Sequence, residues 1–414
     1  MNISRIDKAV ATLREDQTLA DAAQVRHKDV DILLPSELCP SLRLLARIAT
    51  ALLLRCFKGA VRVHDPMPDL DLATQLETEA RRAGATERLV LHSLTTGPWR
   101  LALGQEVDGA VSADASGWTA RVNRAFGVRE RAAVPAIAFA AACAVAKLFD
   151  YAIRGADRHL FEAWDFCLLR FQAGDQKPLT AEADVHLGRI ALLGAGGIGS
   201  ALGLILALSE WGGELHVIDS DSFEEPNLET CVFADIADVR RPIRKALALA
   251  NAFQGHRIHA TERHCRLKAN DPLLKESWDA FLCAVDNLET RLVLDDVNAA
   301  ILLNAGLGAT KADAGWVLWS QHGKGDHRLS TLYRDGERIG PVGSHVPNDF
   351  VEECSRMSYL GVSLALPFAG LVAGSLLATS LFRRATGRGV ETTLMQLDLL
   401  NKQQCVTLLT PRRP

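Results

Sequence analysis

The chain has 414 residues, 48% hydrophobic and 23% charged, with a formal net charge of −4. That length suits two or three domains and a core that needs neither disulfides nor metals, and the composition excludes disordered, collagen-like and disulfide-scaffold classes. The near-neutral charge offers no basic field to nucleic acid or to an anionic membrane surface.

In chain order, Met1–Asp16 alternates charged and apolar residues like an amphipathic helix, unlike the apolar core of a signal peptide. Ser41–Phe57 reads as a helix, Gly59–Asp65 as a strand, and residues 97–123 alternate like strands. From Leu187 the pattern sharpens into strand, glycine turn, helix Ile198–Trp211 and a second strand Glu214–Asp221, a βαβ unit. Further elements are a helix over Pro242–Phe253, a strand over Ala280–Val285, a helix over Glu289–Ile301 and a strand from Ile301. Residues 320–358 form a crossover segment, and its Ser320–Glu353 part is rich in Gly, His, Asp and Arg, which reads as an excursion between core elements. An apolar helix follows Pro367, and residues 390–400 and 404–410 read as edge strands or a strand pair. Pro135–Gly155 echoes Pro367–Gly387 in proline start, apolar body and glycine stop. Either the N-terminal half is a second copy that has lost its glycine loop, or these are two unrelated buried helices. The expected organisation is an N-terminal α/β domain over 1–185 and a doubly wound, Rossmann-like α/β domain over 186–414.

Two uncharged stretches, Ile190–Ser209 and Leu360–Phe382, reach membrane-spanning length. Glycines, a proline and hydroxyl residues interrupt them, so buried helices of a large core are the expectation and a membrane is not. No two of the nine cysteines are spaced as CxxC, so no structural zinc is expected, and reduced thiols point to a cytoplasmic setting.

The motif with the most chemistry is GAGGIG, comprising Gly194, Gly196, Gly197 and Gly199, between a strand and a helix. Gly194 permits the tight turn, Gly196 a close phosphate approach, and Gly199 helix-on-strand packing. The free amides of the helix N-terminus favour an anion, and Asp219 at the end of the next strand is placed to bind ribose hydroxyls. Asp221, Asn227 and Leu228 follow, then Lys245, then Asp286, Asn287 and Arg291 in AVDNLETR. Each also has a plain structural reading, since Asp221 and Asn227 can cap turns, Lys245 can be a solvated helix residue, and Asp286 and Asn287 can cap a helix.

In order and spacing this set resembles the E1-like activating-enzyme superfamily, which includes ThiF, MoeB and the ubiquitin-activating enzymes. The resemblance covers residues 187–385, whereas a dehydrogenase would explain only the glycine loop and Asp219. It implies ATP-dependent adenylation of a C-terminal carboxylate, with Asp286 holding Mg2+, Lys245 meeting the phosphates, Asn227 positioning the triphosphate end, and Asp219, Asp221, Asn287 and Arg291 completing the site. It also implies a partner: a ubiquitin-like protein ending in Gly, passed through a thioester to an E2-like conjugating enzyme. A precursor peptide or a sulfur-carrier protein remains open as substrate, as do a homodimer and a non-catalytic nucleotide-binding scaffold.

The chain departs from that pattern at Thr230 and Cys231, where the superfamily writes Arg–Gln. Arg244, Arg5 and Arg14 are the candidate replacements for the lost arginine. Without zinc-binding cysteines, Cys354 in the crossover segment stands out as the candidate acyl acceptor, with Glu352 and Glu353 raising and Arg356 lowering its pKa.

Overall fold

In the computed structural model the described residues build two eight-stranded sheets of identical connectivity. The structure describes residues 4, 6–7, 9–10, 23–126, 131–155, 162–173, 184–308, 315–324, 329, 366–388, 393–400 and 406–409. The first sheet holds β1 (Val30–Leu33), β2 (Val61–His64), β3 (Leu89–Val90), β4 (Trp99–Leu103), β5 (Val111–Ser116), β6 (Thr119–Val122), β7 (Trp164–Cys167) and β8 (Gln172–Ala173), in the order β3-β2-β1-β4-β5-β6-β7-β8. The second holds β9 (His186–Leu193), β10 (Gly212–Ile218), β11 (Ile258–Arg263), β12 (Ala280–Cys283), β13 (Ile301–Leu307), β14 (Trp316–Gly323), β15 (Thr393–Asp398) and β16 (Val406–Leu409), in the order β11-β10-β9-β12-β13-β14-β15-β16. In both, the first five strands of that order run parallel and the last three antiparallel.

Helices obey the same plan. In the first half α1 (Pro40–Cys56) follows β1, α2 (Leu70–Arg82) follows β2, and α3 (Val134–Arg154) joins β6 to β7. In the second half α4 (Gly197–Leu208) follows β9, and the short helices α5 (Asn227–Thr230), α6 (Lys245–Asn251) and α7 (Leu288–Leu292) lie in the crossovers. There α8 (Pro367–Ala385) joins β14 to β15. The Pro135/Pro367 echo therefore falls on equivalent helices, each with a proline in its first turn and a glycine at positive φ beyond its end. Both are buried, and they pack on each other between the sheets, where Phe149 and Phe368 lie 5.5 Å apart. By length and composition α3 could span a bilayer, but 83% of its apolar window is inside the protein.

Strand register fixes which residues of the two halves correspond. Leu33 pairs with His64 and Ala102, as Leu193 pairs with Ile218 and Cys283. Leu34 N donates to His64 O at 3.0 Å, as Gly194 N donates to Ile218 O at 2.9 Å. The glycine loop is thus replaced in the first half by Leu34–Cys39, Asp219 corresponds to Asp65, and Asp286 corresponds to Gln105.

Three expected elements differ. The helix expected over Pro242–Phe253 begins only at Lys245, because residues 243–244 run extended against 222–223, with Phe223 N bonded to Ile243 O at 2.9 Å. The helix expected over Glu289–Ile301 ends as α7 and one 3-10 turn, after which Asn298 N bonds Leu274 O and the chain enters β13. Ser320–Gly323 belong to β14 and not to the excursion. That strand reads as polar because Ser320, Gln321 and His322 are buried beside Asn304 of β13, with Ser320 Oγ 3.3 Å from Asn304 Nδ2 and 3.0 Å from His322 Nε2. The final strand pair stands as expected. The remainder of the crossover segment lies outside the described residues apart from Lys324 and Leu329, and so does Cys354.

Candidate active site

At the carboxyl ends of β9, β10 and β12, where open parallel sheets place their ligands, a cleft of about 390 Å³ opens. Ten residues expected from sequence line it: Gly194, Gly196, Gly197, Asp219, Asp221, Asn227, Lys245, Asp286, Asn287 and Arg291. Gly199 sits behind the lining. A Cβ there would come within 1.9 Å of Gly194 O, so only glycine lets α4 approach its own strand this closely. Gly194 itself has φ +94°, the left-handed region that glycine adopts without strain. From behind, α8 presses Gly370 against Gly197 O and Gly374 against Leu202 N, approaches where an added Cβ would have only 2.8 Å. Gly199→Ala should therefore lower the thermal midpoint by several degrees, since overpacking costs about 1–3 kcal/mol. An unchanged melting curve would contradict this packing.

Asp219 ties the loops together, with Oδ2 accepting from Ala195 N at 2.6 Å and Oδ1 from Asp221 N at 2.7 Å. Burial pushes its pKa up, and those two amides oppose the shift. Lys245 begins α6 and is 8% exposed, with Nζ 3.2 Å from Asp221. Asn227 does cap a turn, its Oδ1 accepting from Glu224 N at 2.9 Å, which leaves its carboxamide nitrogen as the donor for a ligand. Asn287 does cap α7, accepting from Thr290 N at 2.8 Å. Neighbouring Asp286 is thereby held exposed at the cleft. Arg291 is buried and binds Asn304 Oδ1, Val285 O and Ala305 O, so it braces the residue that precedes Asp286.

The arrangement offers helix-terminal amides, an ammonium and a hard carboxylate in one crevice, the donor set for a polyphosphate with a divalent cation. Sequence reasoning missed Cys231, Cys265, Arg266 and Leu267, which also line the cleft. The last three directly follow β11, and their position after a parallel strand was the available signal. Among the candidates for the lost arginine, Arg244 is bonded to Glu262 at 2.7 Å and does not line the cleft, while Arg5 and Arg14 lie outside the described residues.

Two family patterns and several known proteins match this chain. The ThiF family pattern matches residues 178–414, and the pattern of the BilD N-terminal domain matches residues 35–161. The adenylyltransferase and sulfurtransferase MOCS3-1 of Zea mays is 32% identical over 201 residues, 48% of this chain and 39% of its own. The probable adenylyltransferase/sulfurtransferase MoeZ of Mycobacterium tuberculosis is 28% identical over 219 residues, 50% of each. This chain thus spans half or less of the length of these curated relatives. Among solved structures, E. coli MccB with MccA-N7isoASN aligns with a TM-score of 0.40 at 17% identity, over 53% of this chain and 63% of that one.

Proposed function

Because this chain belongs to the ThiF family, we propose that it is an ATP-dependent adenylating enzyme acting on the C-terminal carboxylate of a ubiquitin-like protein that ends in glycine. The acyl group then passes to Cys354 as a thioester and on to an E2-like conjugating enzyme, in a cytoplasmic setting. The observation that carries this reading is the cleft that gathers the glycine loop, Asp219, Asn227, Lys245 and Asp286.

In the adenylation step the substrate carboxylate attacks the α-phosphorus, a new C–O–P anhydride forms, and the bond to pyrophosphate breaks. Amides at the start of α4 and the Lys245 ammonium are aimed at the charge that develops on the phosphate oxygens. Asn227 donates to the triphosphate, and Asp219 orients the ribose. Asp286 fits Mg2+, which takes one or two carboxylates and otherwise phosphate oxygens and water. When bound, the ion screens the charge of the departing pyrophosphate. The Cys354 thiolate then attacks the acyl carbon, and AMP leaves with the anhydride oxygen.

The first half is proposed to carry no such activity. It has Leu34 for Gly194 and Gln105 for Asp286, so it lacks both the phosphate turn and the metal carboxylate. It serves instead as the partner that a smaller enzyme of this kind would obtain from a second copy.

ATP–pyrophosphate exchange measured with the full chain tests the assignment. Exchange should require a small protein ending in Gly and should disappear when that glycine is removed. Exchange with a precursor peptide and not with the protein would move the substrate to the peptide class. A second reading, sulfur-carrier activation, is favoured by the names of the curated relatives. A C-terminal thiocarboxylate on the carrier, with no conjugate formed, would establish it.

A further inference from the structure

The one-turn helix α5 separates the nucleotide cleft from a second cavity, of about 340 Å³, at the junction of the two halves. Asn227 and Cys231 face the first, while Glu225, Leu228 and Glu229 line the second together with Arg26, Arg55, Lys58 and Arg88 of the N-terminal half. Four helical residues closed by one bond, Cys231 N to Asn227 O at 2.8 Å, have no stability of their own. Their position has to come from what grips them.

The grip belongs to the other half of the chain. Arg26 places Nη1 3.2 Å from Glu229 Oε1, and Ser4 Oγ donates to the other carboxylate oxygen. Arg26 is 1% exposed and itself anchored, donating to Cys56 O at 2.8 Å, to Arg55 O at 2.7 Å and to Asp7 at 2.7 Å. Just beyond α5, Arg55 donates to Ala234 O at 3.1 Å and Arg82 to Phe233 O at 3.2 Å, with the Arg82 guanidinium 5.2 Å from the Phe233 ring. Three arginines of the N-terminal half, Arg26 in a turn and Arg55 and Arg82 on α1 and α2, thus hold α5 and the chain just after it, the segment that presents Asn227.

We infer that Glu229 is a positioning residue through which the N-terminal half, by way of Arg26, sets Asn227 and thereby the affinity of the cleft for a nucleoside triphosphate. This rests on the nucleotide reading proposed above. It also opposes simple electrostatics. A carboxylate beside an anion site repels the anion, so its neutralisation alone would tighten binding. Loss of the clamp loosens it.

The test is equilibrium binding of ATP with Mg2+ to the full chain by calorimetry, for the native protein, Glu229→Gln and Arg82→Ala, with amide hydrogen exchange on the same samples. Glu229→Gln should weaken ATP binding about tenfold and speed exchange at residues 227–231, while amides of β9 and α8 keep their rates. Arg82→Ala should do the same to a smaller extent, with faster exchange reaching Ala234. Unchanged or tighter ATP binding by Glu229→Gln overturns the inference, as does exchange that rises uniformly over the chain. Failure of the native protein to bind ATP would instead overturn the nucleotide reading, and the exchange pattern would still report on the clamp.

Discussion

Replacing Asp286 with alanine should reduce ATP–pyrophosphate exchange by two to three orders of magnitude. Removing one group that stabilises transition-state charge costs about 3–4 kcal/mol. The carboxylate stands exposed at the carboxyl end of β12, on a turn held by the Asn287 cap on one side and by Arg291 on Val285 O on the other. Its surroundings are built to fix its place, so Asp286→Asn, which keeps the shape and loses the charge, should be nearly as damaging. The thermal midpoint should stay within a degree or two, because Asp286 contributes little packing. Full activity of Asp286→Asn would show that the cleft meets the metal by another group. The first half offers a natural control, since the corresponding position there is already Gln105.

Cys354→Ser should abolish the thiol-sensitive adduct with the substrate protein and leave pyrophosphate exchange within a few-fold of native, because the two steps use different atoms. Four of the other cysteines are poor competitors for the acyl group. Burial pushes the Cys56 thiol up to about 12 and raises Cys143 and Cys283 as well, so each is a weak nucleophile at neutral pH. Cys265, at the cleft, is also raised by burial, with Asp271 adding to the shift. A thiol-sensitive adduct that survives in Cys354→Ser would place the acyl acceptor elsewhere. Loss of exchange in the same variant would show that the cysteine shapes the adenylation site.

The second half was legible because its signals are local. A glycine turn, an acidic residue one strand later and an Asp–Asn pair sit within short spans of chain, and each lies at the end of a parallel strand, where geometry forces them together. In the first half the helix over Ser41–Phe57, the strand over Gly59–Asp65 and the strands within residues 97–123 were legible too, but its glycine loop is gone, so only the proline-to-glycine helix survived as a trace of the shared plan. Ser320–His322 were misread for a different reason: a polar strand segment buried against Asn304 looks like a loop when its partner is unseen. Asn227 and Asn287 show that a cap and a site residue need not be alternatives, because the turn that each caps is what aims the neighbouring chemistry. The dependence of α5 on Arg26, Arg55 and Arg82 had no sequence signal, as those contacts span 203, 179 and 151 positions.

Packing α3 against α8 within one polypeptide has a consequence for how the protein responds to dilution. When two copies of an enzyme meet through such a face, the contact obeys mass action, and the fraction assembled falls with concentration. Here the peptide link between β8 and β9 makes the same contact unimolecular, with an effective concentration set by the tether. Specific activity should then be the same at nanomolar and micromolar protein. Each side of the helix pair is also free to change alone, whereas in a symmetric pair every substitution appears twice.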